Sequence, residues 1–495
     1  MTGTGDGEVS NVVLVTVDSL RADAVGAYGD NRHTPVLDSL ADRGAVFERA
    51  FAGGNWTPFS FPEILASRPV FYDDDEIGIG ATPSLAGVLS NAGVSTGGFN
   101  AANGFLTTHW GYDEGFDEFE SFVASVGSSI YSRYLATHPT VEAWLQLAAS
   151  PFRRASSLVC GNGDDRPFLD TSRMFDVENA ATSFVDEAEE PFFLWVHYMD
   201  AHTPYAPAPR YIREVSNARL GTHRMLLAHT HTGLGWEVGD RTLADLRTLY
   251  QAGVRQVDAS VGRLLDALAA NDLDDETAVV VAGDHGEEFQ DHGHLAHYPK
   301  LYDELIRVPL IVDVPGAPSR HVEGQVGLDA IPPTVADLLG VEPSPAWHGE
   351  SLVSAARDGS PPADEPVISV TVRGETITAQ PIPRSLSDGD LLVSVRDRDW
   401  TYVENVDTGA TELYHRPSDP GQHDDLSASP TDEGPAVLDR FATVANEHVA
   451  RIHEGDTDSE SVGNRREGVD GEEGRAADEA VDQDLEARLE ALGYQ

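Results

Sequence analysis

Residues 277–312, TAVVVAGDHGEEFQDHGHLAHYPKLYDELIRVPLIV, decide how this chain is read. The stretch opens with Ala278–Ala282, an apolar, β-branched run of the length of one buried strand. Gly283 stops the run, and Asp284 and His285 follow at once. A second apolar run, Val308–Val312, comes back around Pro309. In an open α/β sheet, ligands sit beyond the carboxyl ends of the strands. Asp284 and His285 fall there, with His292, His294 and His297 close behind. A carboxylate and an imidazole at one strand end make half of a divalent-metal site. An isolated Asp-His pair is more commonly a helix cap beside a surface histidine. Other strand ends must therefore supply the rest.

Two of them do. Residues 11–18, NVVLVTVD, form an apolar strand ending in Asp18. Residues 192–198, FFLWVHY, form another, followed by Asp200, His202, Pro204 and Tyr205. Between this strand and the one at 278–282, residues 242–270 carry Leu246, Tyr250, Val254, Val257, Val261, Leu264, Leu265 and Leu268 at helical spacing. The order is strand–helix–strand, the unit of a mostly parallel sheet. Residues 34–50 are expected as a short helix, with Leu37, Leu40 and Ala41 on one face and Gly44 as its stop. Residues 51–62, FAGGNWTPFSFP, read as a Gly- and Pro-rich loop carrying Thr57 and Ser60 among aromatics, with a helix from Glu63 to Ser67. A hydroxyl before a helix is ordinarily a cap; contact with a metal makes it a nucleophile.

The body of the protein is expected over residues 10–345, with a helix at 83–91 and a strand at 94–99. Residues 120–190 are expected as helices over the core, and 206–240 as loop, with His229 and His231 structural. Beyond 345 the pattern changes to short strands (366–372, 390–406, 411–416) and a helix (434–452), a smaller antiparallel α+β subdomain over 346–452. Residues 453–480 read as an acidic linker, and 481–495 as a tail with a helix at 484–492.

The 495 residues carry 33 basic and 83 acidic side chains, so the net charge is 33 − 83 = −50. Such a surface suits high salt, where the Debye length falls to about 3 Å at 1 M and self-repulsion is screened. A halophilic, archaeal source is expected. The charge argues against nucleic acid or an anionic membrane as partner. No stretch is apolar for long enough to span a bilayer, and a cytoplasmic location is expected. Cys160 is the only cysteine, which excludes an internal disulfide. Lys300 is the only lysine. It lies beside the histidine cluster and is a candidate for binding a substrate anion; chance placement is the alternative.

In order, VTVDSLRADAVGAYG, HTPVLDSLADRGAVFERAFA, the Thr57 loop with ILASRP, YDEGFDEF, VHYMDAHTPY, AGDHGE, HYPKLYDELIRVPLIV, WTYVEN and ELYHRPSDP resemble the sulfatase family of the alkaline-phosphatase-like superfamily. The resemblance covers most of residues 10–430. It implies an α/β fold: a central, mainly parallel sheet flanked by helices, with the C-terminal α+β subdomain beside it. It implies one divalent cation (Ca2+, Mn2+ or Mg2+) held by Asp18, Thr57, Asp284 and His285. It places Thr57 at the nucleophile position, with His202 and His297 lining the anion pocket. A second metal on Asp200, His202 and His297 is conceivable.

Most sulfatases convert a Cys or Ser in a C/S-x-P-x-R motif to formylglycine. Here the run is Thr57-Pro-Phe-Ser60-Phe61, without that Cys or Ser and without the Arg. Asp18-Ser19 stands where two acids are usual, and His285 where an amide is usual. No formylglycine is expected. The set looks more like phosphodiesterases and relatives in which an unmodified threonine attacks phosphorus. The expected activity is metal-dependent hydrolysis of a sulfate or phosphate ester, on a small anionic ester or glycan. The alternatives are a phosphoglycerol- or phosphoethanolamine-type group transferase and a catalytically degenerate binding protein on the same fold.

Overall fold

Seven consecutive buried residues, Asn11–Val17, form β1 near the middle of a nine-stranded sheet. The computed structural model describes residues 9–29, 33–73, 75–123, 172–216, 238–374, 383–428 and 434–466, with Leu220, Arg224, Met225 and Ala228. The strands that follow β1 are β2 (Ala45–Phe51), β3 (Ser95–Asn100), β4 (Glu118–Glu120), β5 (Phe192–Tyr198) and β6 (Thr277–Gly283). Next come β7 (Glu288–Phe289) and β8 (Leu295–Ala296), a separate two-stranded ribbon, then β9 (Arg307–Val308), β10 (Leu310–Asp313) and β11 (Arg320–Gly327). The main sheet runs β11-β2-β10-β6-β1-β5-β3-β4, with β9 beside β2. β6, β1, β5, β3 and β4 are parallel, and β10 is antiparallel to both its neighbours.

Side chains of a strand alternate between faces, so a strand buried on both sides reads as continuously apolar. Val13, Val15 and Val17 join one core with α1 (Pro35–Arg43), α4 (Met174–Glu187), α5 (Pro209–Val215) and α6 (Asp240–Ala270). Val12 and Leu14 join the other with α2 (Thr57–Ala66), α3 (Leu85–Asn91), α8 (Ile331–Leu338) and α9 (Val353–Asp358), while α7 (Asp303–Ile306) is a single turn before β9. At about 1.5–3 kcal/mol for each fully buried aliphatic side chain, these two layers are the main source of stability.

The C-terminal sheet is a meander of β12 (Val367–Arg373), β13 (Asp390–Arg396), β14 (Trp400–Asn405) and β15 (Ala410–His415). It packs under α10 (Gly434–Arg466) through Phe441, Ala445 and Ile452. Trp56 and Phe59 share that core, and the Val370 N–H donates to the Gly53 carbonyl at 2.7 Å. A side chain at Gly54 would strike Phe59 and the Val370 carbonyl, so close approach of the two sheets requires glycine there.

Four elements differ from expectation. The helix expected over 34–50 ends at Arg43, and residues 45–51 are β2, inside the sheet. The apolar ends of AVFERAF are buried and Glu48 and Arg49 only half so, a pattern that resembles a helix until its partners β10 and β11 are known. The helix expected from Glu63 begins at Thr57, because Pro58 suits a first turn. α10 runs on to Arg466, into the stretch expected as linker, and α5 lies within the stretch expected as loop. His229, His231, Cys160 and the 484–492 helix fall outside the described residues. Among the described residues no helix is long and apolar enough to cross a membrane.

α1 has no cap of its own. Buried Asp258, on α6, supplies it: Oδ1 accepts from the Val36 and Leu37 N–H groups at 3.0 and 2.9 Å. Asp258→Ala is expected to lower the unfolding free energy by about 1–2 kcal/mol, measured by denaturant titration in molar salt.

Candidate active site

Val17 of β1 pairs with Tyr198 of β5 on one side and with Gly283 of β6 on the other. The residues after these strands therefore leave the sheet at one level. The Asp18 N–H donates to the Tyr198 carbonyl at 2.8 Å, and the Asp284 N–H to the Val17 carbonyl at 3.3 Å. Ser19 then takes a left-handed backbone conformation, φ 59°, rare for a residue with a side chain. Contacts hold it there: its N–H donates to Asp284 Oδ1 at 3.1 Å, its hydroxyl to Asp18 Oδ1 at 3.2 Å, and its carbonyl accepts from the Tyr250 hydroxyl at 2.9 Å.

Asp18, Asp284 and His285 each place one ligand atom within 4.8 Å of the others, and all three are buried. His285 Nδ1 faces the Gly286 carbonyl at 2.9 Å, so Nδ1 carries the hydrogen and Nε2 the lone pair. Nε2 is buried and has no hydrogen-bond partner. It stands 3.4 Å from Asp18 Oδ1 and 3.7 Å from Asp284 Oδ2. An orphaned imidazole lone pair facing two buried carboxylates is a donor set that fits a divalent cation, with the tautomer fixed from behind by a backbone carbonyl. Thr57, the first residue of α2, joins it: Oγ1 lies 3.1 Å from Asp284 Oδ2 and 3.4 Å from Asp18 Oδ2.

The two carboxyl groups are shifted in opposite directions. Burial opposes ionisation of Asp18, but the rings of His202, His197 and His285 hold it well below the usual range. Burial and the Asp18 charge push Asp284 well above it. Burial lowers His202 to about 4 and, with His285 nearby, His297 to about 3, so both imidazoles are neutral at neutral pH.

The structure brings His202, His297 and His285 together, with the His297 ring centroid 4.9 Å from that of His202 and 5.0 Å from that of His285. Asp200 accepts from Gln256 at 2.6 Å, and Asp200, His202 and His297 do not gather into a second ligand group among the described residues. Ser60 donates to the Gly54 carbonyl at 3.0 Å and takes no part in the cluster. The Lys300 ammonium is bound by Glu288 at 3.1 Å and the His292 carbonyl at 2.8 Å, none of them a member of the Asp18–Thr57–Asp284–His285 set. Phe61, where the family's Arg is absent, packs edge-on against His197 at 5.0 Å.

Sequence reasoning missed three buried neighbours. His197 looks like a core residue of β5, yet Nε2 stands 3.7 Å from Asp18 while Nδ1 meets the Thr16 hydroxyl at 2.9 Å. Glu287 takes the Tyr205 hydroxyl and faces His297 Nδ1 at 3.2 Å. Asn103 lies in the loop after β3, at the same end of the sheet, and its amide reaches Asp18 and Thr57. The strand-end rule that found Asp18 would have found Asn103, had it been applied to β3.

Residues 10–341 match the sulfatase family model. A choline-sulfatase of Rhizobium meliloti is 24% identical over 478 residues, covering 88% of this chain and 86% of that one. A multifunctional alkaline phosphatase superfamily protein of Trinickia caryophylli is 27% identical over 219 residues, 38% of this chain and 41% of that one. Among solved structures, the phosphonate monoester hydrolase of Agrobacterium radiobacter has a TM-score of 0.65 at 19% identity, covering 90% of this chain and 96% of its own. Another, solved with its substrate D-glucosamine-2-N,6-O-disulfate, has a TM-score of 0.65 at 17% identity, covering 90% and 98%.

His285→Ala is expected to weaken Mn2+ binding by more than the ~10–100-fold that loss of an outer-shell partner costs. Ser60→Ala is expected to leave it unchanged. Isothermal titration of both variants measures the difference.

Proposed function

The chain belongs to the sulfatase family, sulfuric and phosphoric ester hydrolases, and from that premise we propose that Thr57 is its nucleophile, beside one divalent cation held by Asp18, Thr57, Asp284 and His285. The observation that carries this reading is the position of Thr57 Oγ1, within 3.4 Å of both carboxylates and next to the unpartnered His285 Nε2. Bound there, a cation lowers the pKa of the hydroxyl and neutralises charge on the ester's oxygens.

The chain's own groups supply the remaining work. Asp284 Oδ2, 3.1 Å away, takes the Thr57 proton as Oγ1 attacks sulfur or phosphorus in line. The N-terminus of α2, which begins at Thr57, favours the negative charge that develops there. His202 and His297, as neutral imidazoles, donate N–H hydrogen bonds to the non-bridging oxygens, and the departing oxygen takes its proton from water. Water then releases the Thr57 ester, and Oγ1 recovers its proton. With threonine at this position, the reading runs without formylglycine. Lys300, bound by Glu288 and the His292 carbonyl, is assigned to the 288–300 loop and not to substrate.

The substrate assigned is a small anionic ester, with sulfated or phosphorylated glycans included. A net charge of −50 supports a working environment of high salt, which is the condition for assay. Aryl sulfate, phosphate monoester and phosphate diester are compared in molar salt with Mn2+, Mg2+ or Ca2+. Thr57→Ala is expected to lower kcat by about 10⁴-fold or more on whichever substrate turns over. A chelator is expected to abolish turnover, and added cation to restore it. Full activity in Thr57→Ala overturns the assignment.

A further inference from the structure

Asn103 is buried, 1% exposed, and its amide orientation is fixed by the main chain. Its Oδ1 accepts from the Phe105 N–H at 2.9 Å, so Nδ2 must face the other way. Nδ2 lies 3.0 Å from Asp18 Oδ2 and 3.4 Å from Thr57 Oγ1. The loop is built to hold it there. The Asn100 amide donates to the Asn103 carbonyl at 3.2 Å and the Leu106 carbonyl at 2.7 Å, and its oxygen accepts from the Asn103 N–H at 3.3 Å. Ala102, one residue earlier, takes a left-handed conformation, φ 56°, which costs energy in a residue with a side chain. An amide has two hydrogens; here one meets a carboxylate and the other a hydroxyl oxygen.

We propose that Asn103 is a catalytic residue, a fixed N–H donor to the Thr57 oxygen. This rests on Thr57 being the nucleophile and adds how its charge is managed. With an N–H aimed at Oγ1, the hydroxyl hydrogen is directed to Asp284 Oδ2, and a lone pair is left for attack. As Oγ1 gives that proton to Asp284 and bonds to sulfur or phosphorus, the bond to the ester oxygen breaks, and that oxygen leaves with the electron pair and takes a proton from water. When a second water bonds to the sulfur or phosphorus and gives up one proton to solvent, the Oγ1 bond breaks, and Thr57 departs with the electron pair and recovers the proton from Asp284. Asn103 transfers no proton. It donates to the oxygen at both moments of negative charge, when a hydrogen bond to an ionised partner is strongest.

The test uses the full chain in molar salt. Asn103→Ala is expected to lower kcat about 10²–10³-fold, the cost of one oxyanion donor, with KM and the Mn2+ Kd changed only a few-fold. Asn103→Asp keeps the shape and the acceptor for Phe105, replaces the donor by a carboxyl oxygen and adds an acidic group beside Asp18; it is expected to lose kcat at least as far, and it serves if the alanine variant does not fold. In a Thr57→Ala background, Asn103→Ala is expected to cost nothing more. Two results overturn the proposal: a wild-type rate in both variants while Thr57→Ala is inactive, or a rate restored by saturating Mn2+, which would make Asn103 a support for Asp18 alone. An active Thr57→Ala enzyme would instead overturn the nucleophile itself.

Discussion

Asp18 and Asp284 are two buried carboxyl groups placed side by side by the level pairing of β5, β1 and β6. The rest of the site depends on that pairing. A slip of one residue would turn every side chain of β1 to the opposite face and move Asp18 away from Asp284. Continuous apolar burial on both faces of the three strands makes such a slip very unfavourable. The sheet thus holds together two groups that would repel one another if both were charged, and the fold's stability is gathered away from the reacting atoms, in the layers of Val, Leu and Phe beneath them.

Around those acids, position comes from the main chain more than from long side chains. The strained turn at Ser19 offers Asp284 an N–H. The Gly286 carbonyl sets the His285 tautomer. Asn55 gives both amide hydrogens to the carbonyls of His297 and Tyr298, at 3.0 and 2.8 Å, tying the segment before Thr57 to the segment that carries His297. Short tethers of this kind leave little rotamer freedom to be lost when a substrate arrives.

Strand ends were the legible part of the sequence. An apolar run followed at once by Asp or His is a local pattern, and it located Asp18, Asp284, His285 and His202. α6 and the C-terminal meander were also legible, because helical and alternating periodicities persist there for many residues. β2 was not. It is short, contains Glu48 and Arg49, and becomes a strand only because β10 and β11 flank it from more than 250 residues away. His197 was hidden for the opposite reason. It sits inside an apolar strand, and its polar role comes from Thr16, its register partner on β1. Thr57 and Ser60 are three residues apart on one turn of α2, and only geometry separates the hydroxyl that touches the acids from the one turned to Gly54.

The late partners of β2 also bear on how the enzyme comes into being on the ribosome. Thr57 follows β2, which is locked by β10 and β11 at residues 310–327, and the neighbouring Trp56 and Phe59 pack in a core completed by α10. A growing chain carries Thr57 from early in synthesis but cannot enclose it until most of the polypeptide has emerged. Contacts so distant in sequence make for slow folding and prolonged exposure of apolar strands.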